Sequence, residues 1–149
     1  MKAVVDGIIY EMQSRGGISR LYSEILPRMC SIEDALEITL LTVGNVRQPL
    51  PSHHHVLHRR HLPTDHIFRP WRLWSPAYPS LRSFAQWLAV GDGHGSLWHS
   101  TYYTMPTRWA GPRLVTVVDM IHERFSHLFN TSWDERFRQR KRKCILAAE

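Results

Sequence analysis

Three short stretches combine residue types that handle anions or hydroxylated ligands. The first is Gly16-Gly17-Ile18-Ser19-Arg20. Adjacent glycines at a helix start let the backbone approach a ligand closely, and the free N–H groups and positive dipole end there favour a phosphate. Arg20, within the first turn, would add a bidentate contact to phosphate oxygens. The segment is neither a Walker loop nor a GxGxxG fingerprint, and a plain structural turn is the competing reading. The second is Trp98-His99-Ser100-Thr101-Tyr102-Tyr103, which closes near Pro106. Aromatic faces stack on the apolar faces of sugars, while hydroxyls and imidazole bond to sugar OH groups. Alternatively, Trp98 and one Tyr belong to the core. The third is Val117-Val118-Asp119-Met120-Ile121-His122-Glu123. A carboxylate leaving an apolar strand is expected to be partly desolvated, which suits acid/base or hydroxyl-orienting work. Equally, Asp119 could cap a short helix beginning near Met120.

Other clusters read more plainly. His53-His54-His55, with His58 and His61, contains no HExxH and no interleaved acid, so a surface or loop cluster is expected and no metal site. No cofactor is expected either. Asp65–Trp74 sets aromatics between arginines, as an interaction surface or as packing against a sheet. Cys30 and Cys144 fit no metal-ligand spacing and are expected to be reduced, partly buried thiols.

The elements that position these groups follow from periodicity. Residues 3–5 are a short apolar run of the buried-strand type, which Ile8, Ile9 and Tyr10 could extend. After the Gly pair, Ile18, Leu21, Tyr22, Ile25, Leu26 and Met29 mark one face of an amphipathic helix that Pro27 should kink or shorten. Residues 36–43 form the next strand, closed by Gly44-Asn45, and 55–60 a weaker one. Prolines 63, 70, 76 and 79 forbid a long regular helix around Trp71 and Trp74. A helix is predicted over 80–89 with Leu81, Phe84, Ala85 and Leu88 on one side. Strands are predicted at 96–99 and 114–118, with Asp119 at the end of the latter. A final helix should start at Ser132, with Glu135 in a capping box, and run beyond Ile145 through the last residues.

Strands alternating with helices imply an α/β domain: a mostly parallel sheet in a Rossmann-like, three-layer arrangement. Ligands of such sheets bind beyond the strand C-termini, at a switch point in strand order. That groups Gly16–Arg20, His99–Tyr103 and Asp119–Glu123 on physical grounds.

The 149 residues amount to one domain, and 43% apolar and 21% charged residues suit a packed core rather than disorder. No apolar run approaches the roughly 20 residues of a membrane span, and no secretory signal opens the chain, so a cytoplasmic location is expected. The net charge of +6 suggests an anionic partner, with clusters at 58–61 and at Arg136–Lys143, the latter on a helix. A solvated face is the plain reading. A nucleic-acid-binding domain, or one held peripherally on an anionic inner membrane face, is the functional alternative.

In this order, the segments resemble family 4 glycosyltransferases. There the first strand leads to a Gly-Gly-Ile/Gly-x-Arg-Tyr helix start, here GGISRLYSEIL. A later His-x-Thr-Tyr-Tyr-x-x-Pro segment is here His99 to Pro106, and Val-Thr-Val-His-Asp-Met-Ile-Pro-Glu is here VTVVDMIHE from Val115. Residues 125–129 and 143–148 are also similar. Val118 stands where the family carries His, and His122 where it carries Pro. The resemblance implies the N-terminal half of a retaining GT-B enzyme, which transfers a sugar from a nucleotide sugar to a saccharide or lipid-linked acceptor. Residues 1–149 would be the acceptor-side domain. The nucleotide-sugar-binding C-terminal domain would be missing, and the isolated half inactive. By the same resemblance, Gly16, Gly17 and Arg20 would face the donor diphosphate. His99, Tyr102, Tyr103, His122 and Glu123 would lie on the acceptor side, and Asp119 would orient an acceptor hydroxyl.

Overall fold

Lys2–Asp6 forms β1, and the chain then turns sharply instead of extending the strand. The Gly7 N–H donates to the Leu41 carbonyl at 2.7 Å, and a Cβ on Gly7 would lie 2.7 Å from the Thr42 methyl, so only glycine lets these backbones approach. Ile8–Met12 therefore forms a short helix, α1, that buries Ile9 and Tyr10, in place of the strand continuation that their apolar character suggests. The computed structural model describes residues 1–60 and 78–148, and the remaining elements are α2 (Gly17–Ile32), β2 (Glu37–Thr42), β3 (Val56–Arg60), α3 (Tyr78–Val90), β4 (Ser96–Ser100), β5 (Arg113–Val115), α4 (Ile121–Arg124) and α5 (Ser132–Leu146). The stretch around Trp71 and Trp74, the run Asp65–Trp74 and His61 lie outside the described residues.

The five strands make one sheet in the order β3-β2-β1-β4-β5, with every neighbour pair parallel. This is the strand order of a Rossmann-like α/β domain. Alternation along β1 divides the core. Ala3 and Val5 pack with Tyr22, Leu26, Cys30, Ile38 and Leu40 on the α2 side. Val4 packs with Leu41, Trp98, Trp109 and Ala89 on the α3 side. Helices thus cover both faces.

Several predicted features shift. Pro27 lies inside α2, which nevertheless runs on to Ile32. The buried face of α2 is Ser19, Tyr22, Leu26 and Cys30, narrower than the predicted stripe, because Leu21, Ile25 and Met29 stay about two-fifths exposed. In α3, Phe84 and Leu88 are exposed while Gln86 and Ala89 are buried, so the helix turns a different face to the sheet. The strand predicted over 114–118 stops at Val115. Its register pairs Trp98 with Arg113 and Ser100 with Val115, and β4 has no residue left to pair beyond that. The cap of α5 falls one residue earlier than predicted: Thr131 and Asp134 form the capping box, and Glu135 instead bonds Arg138 and Gln139. That helix ends at Leu146.

Candidate functional site

All strands run the same way, so β1, β4 and β5 end on one edge, with the switch point between β1 and β4. Asp6, the last residue of β1, is fully buried there. Its carboxylate accepts the Ile8 N–H at 3.1 Å and the Thr104 hydroxyl, and its carbonyl accepts the Thr101 hydroxyl at 2.5 Å. Thr104 in turn donates its N–H to Ser100 Oγ at 2.7 Å. The loop after β4 is therefore tied across the switch point to the end of β1. Sequence reading overlooked Asp6, although a charge closing the apolar run at residues 3–5 is itself a signal.

Within that loop Tyr103 takes φ of +53°, a left-handed backbone that non-glycine residues seldom adopt. Its side chain is 1% exposed, and its hydroxyl accepts the Val118 N–H at 3.4 Å, joining the loop after β4 to the loop after β5. His99 is also largely enclosed. Its Nε2 lies 2.9 Å from Thr116 Oγ1 and 3.4 Å from the Tyr22 hydroxyl, which couples β4 to α2 and to the loop after β5. Burial pushes the His99 pKa down, so the ring is neutral at pH 7. Tyr102 stays half-buried, packed on Tyr103 and Phe137, and burial together with the Asp119 charge holds its pKa up.

The start of α2 reaches the same edge, since Tyr22 touches His99 near the end of β4 from little more than one turn inside the helix. The Gly16 carbonyl accepts the Arg20 N–H at 3.1 Å and the Ser19 hydroxyl at 3.0 Å. A Cβ on Gly17 would meet nothing within 4 Å, so the backbone there is open to a ligand. Arg20 is exposed.

Asp119 is exposed, contrary to the partial desolvation predicted for it. With β5 ending at Val115, three residues carry the chain past the sheet before this carboxylate. Its Oδ1 accepts the Ile121 N–H at 3.2 Å, the helix-start role that competes with a catalytic one. Glu123 accepts a 3.0 Å bond from Lys141 Nζ, and the same ammonium donates to the Asp119 carbonyl. Lys141 is 1% exposed and lies 5.3 Å from the Tyr103 ring centre. It anchors the loop after β5 to α5, and sequence reading missed it. His122 turns away from this surface. It packs on Phe129 and Phe137 at 4.6 and 4.7 Å, with Nε2 3.5 Å from the Asp134 carboxylate. It therefore packs against the α5 cap.

Beside the switch point, on the α3 side, a cavity of about 600 Å³ opens between Ile8, Gln86, Thr104 and α5. Arg136, Arg140 and Lys143 line it, spaced i, i+4, i+7 along one helix face. Gln86 Nε2 is buried there without a partner among the described residues. Cys144 also borders it, with its thiol pushed up to about 11 by burial and hence uncharged. Three cations and a spare amide donor make this cavity receptive to an anion.

Comparison of the chain with protein-family models, with curated proteins and with solved structures finds no match. No described helix is long and apolar enough to cross a membrane.

Proposed function

We propose that this domain is the acceptor-side wall of a retaining glycosyltransferase cleft. One observation carries the reading: the His-Tyr-Tyr loop and the loop after β5 are bonded together at one edge, and α2 reaches the same edge through Tyr22 and His99. In this reading the Gly17 backbone and Arg20 face the diphosphate of a nucleotide sugar and stabilise its departure as the C1–O bond breaks. The acceptor hydroxyl forms the new bond to C1 on the same face and passes its proton to the departing diphosphate oxygen. Tyr102 and the exposed Asp119 carboxylate are placed to orient that hydroxyl. Arg136, Arg140 and Lys143 suit an acceptor that carries phosphate, such as a lipid-linked saccharide.

The test is amide-resolved NMR of the isotope-labelled chain with millimolar UDP or GDP. Shifts are expected at Gly16–Arg20 and in the loop after β4. Gly17→Ala fills open space, so it should weaken that response without lowering stability, and Arg20→Ala should weaken it roughly tenfold. Absence of a response at this edge with any nucleoside diphosphate would sink the proposal.

A second reading has its own support. Arg136, Arg140, Arg142 and Lys143 are exposed on α5, flanked by exposed Trp133, Ile145 and Leu146. Such a face suits an anionic membrane surface or nucleic acid. Vesicle sedimentation with and without acidic lipid, and a salt series with DNA, distinguish them. Equal partitioning and salt-insensitive binding count against both.

A further inference from the structure

The N-terminal edge of the sheet, opposite the site above, holds His53-His54-His55 immediately before β3. The Val56 N–H donates to the His53 carbonyl at 3.0 Å, closing a turn with His54 and His55 at its centre, and the His55 carbonyl accepts the Ile38 N–H at 2.9 Å. This turn clusters the three imidazoles, His53 stacked on His54 and His55 edge-on to both. Ring centres of His53 and His54 are 4.2 Å apart, and those of His54 and His55 4.1 Å. One ring nitrogen from each lies within 4.8 Å of those of the other two. His53 Nδ1 accepts the His55 N–H at 3.2 Å, and its Nε2 lies 3.4 Å from Ser31 Oγ. His55 Nδ1 is buried with no hydrogen-bond partner among the described residues.

We propose that His53, His54 and His55 bind one borderline divalent transition ion of the Zn²⁺ or Ni²⁺ class. Imidazole nitrogen suits such ions, whereas Ca²⁺ and Mg²⁺ demand sets of oxygen ligands that this turn lacks. Bonds of about 2.0–2.1 Å in a tetrahedral set place ligand nitrogens about 3.3 Å apart, so modest ring rotations complete the geometry. A ligand is also the natural partner for the orphaned His55 nitrogen, because a buried polar atom without one is costly. His58 stands apart, with Nε2 2.7 Å from the Pro51 carbonyl. The residue spacing carried no metal signature because all three ligands come from one turn, and only the folded turn brings them together.

The experiment is calorimetric titration of the full chain with Zn²⁺, Ni²⁺ and Mg²⁺. One Zn²⁺ or Ni²⁺ per chain is expected, with no Mg²⁺ uptake. At metal about a hundredfold above Kd, the melting temperature should rise by roughly 5–10 °C. His54→Gln changes an exposed residue and preserves the fold, and with His55→Gln it should weaken binding by at least about tenfold. His127→Gln, at an exposed site elsewhere, should change nothing. Ni²⁺ should broaden amide signals at Ser31 and His53–Val56 alone. Binding only in the millimolar range, binding unchanged by the paired substitution, or broadening scattered over the surface overturns the proposal.

Discussion

Replacing Lys141 with Met preserves the length and bulk of the stem and removes only the ammonium. In the native protein that ammonium donates to Glu123 Oε2 at 3.0 Å and to the Asp119 carbonyl, and it lies 5.3 Å from the Tyr103 ring centre. Removing one partner of a fully buried ion pair costs about 3–5 kcal/mol, because the other charge is left unpaired. The Glu123 side chain is 29% exposed, so water compensates part of that loss, and about 2 kcal/mol is the expected net. With a urea m-value of about 2 kcal/mol/M, the unfolding midpoint should fall by roughly 1 M.

The double-mutant cycle with Glu123→Gln separates the pair from simple truncation. The neutral amide of that variant leaves no stranded charge, so the double variant should be more stable than the sum of the single losses implies, with a coupling near about 1 kcal/mol. Amides of residues 116–123 should exchange faster in Lys141→Met, since their anchor to α5 is gone. A midpoint shift below about 0.3 M, or strict additivity of the two substitutions, refutes the assignment of Lys141 as the anchor.

Burial holds the folded His99 pKa below its unfolded value of about 6.5. Between those two values the unfolded chain binds more protons, so stability is present above about pH 6.5 and is lost as pH falls through the folded value. His99→Gln should therefore flatten the fall of the urea midpoint below about pH 6.5, and an unchanged slope contradicts this. Thr131→Ala removes the α5 cap and should cost about 1 kcal/mol by thermal melting, while Thr131→Ser should cost far less. The same change should raise the Asp134 pKa, which the Thr131 hydroxyl holds down, as read by carboxyl NMR. Cys144, pushed up to about 11 by burial, should resist an aromatic disulfide reagent near about pH 8 until the chain unfolds. Fast labelling of the native protein would contradict that burial.

β1, β2 and α2 were legible from apolar runs or stripes beside glycine signals, and α5 from its cap residues. Features set by tertiary contact were not. α1 exists because Gly7 must pass close to Leu41 and Thr42, which nothing in the local sequence announces. The apolar positions of α3 permit two helix faces, and the sheet selects the one that buries Gln86. β5 is cut short by the length of its neighbour rather than by its own residues. The candidate site was partly legible, since glycine pairs, aromatic loops and strand-end carboxylates are visible in a sequence. Lys141 sits among Arg136–Lys143 and looks like one more surface cation. Only its spacing with Phe137 and Cys144, at i, i+4 and i+7, marks it as part of the buried stripe of α5.

These burial differences divide the residues at the sheet edge into a frame and a contact surface. Asp6, Thr104, Tyr103, Val118, Lys141 and Glu123 form a linked chain that crosses from β1 through both loops to α5. His99 and Tyr103, named from sequence for acceptor contact, are enclosed in that frame or beside it, so their side chains fix the loops more than they meet a ligand. What stays open is the Gly17 backbone, Arg20, part of Tyr102, the Asp119 carboxylate and the cations of α5. In the proposed reading, ligand contact falls to this second group, which can change without unfolding the domain. Loop position belongs to the first, where any change alters stability and binding together. Because Val118 contributes a backbone N–H to the frame, the position needs no polar side chain to hold the loop. The site can therefore keep its shape with Val where the glycosyltransferase pattern has His.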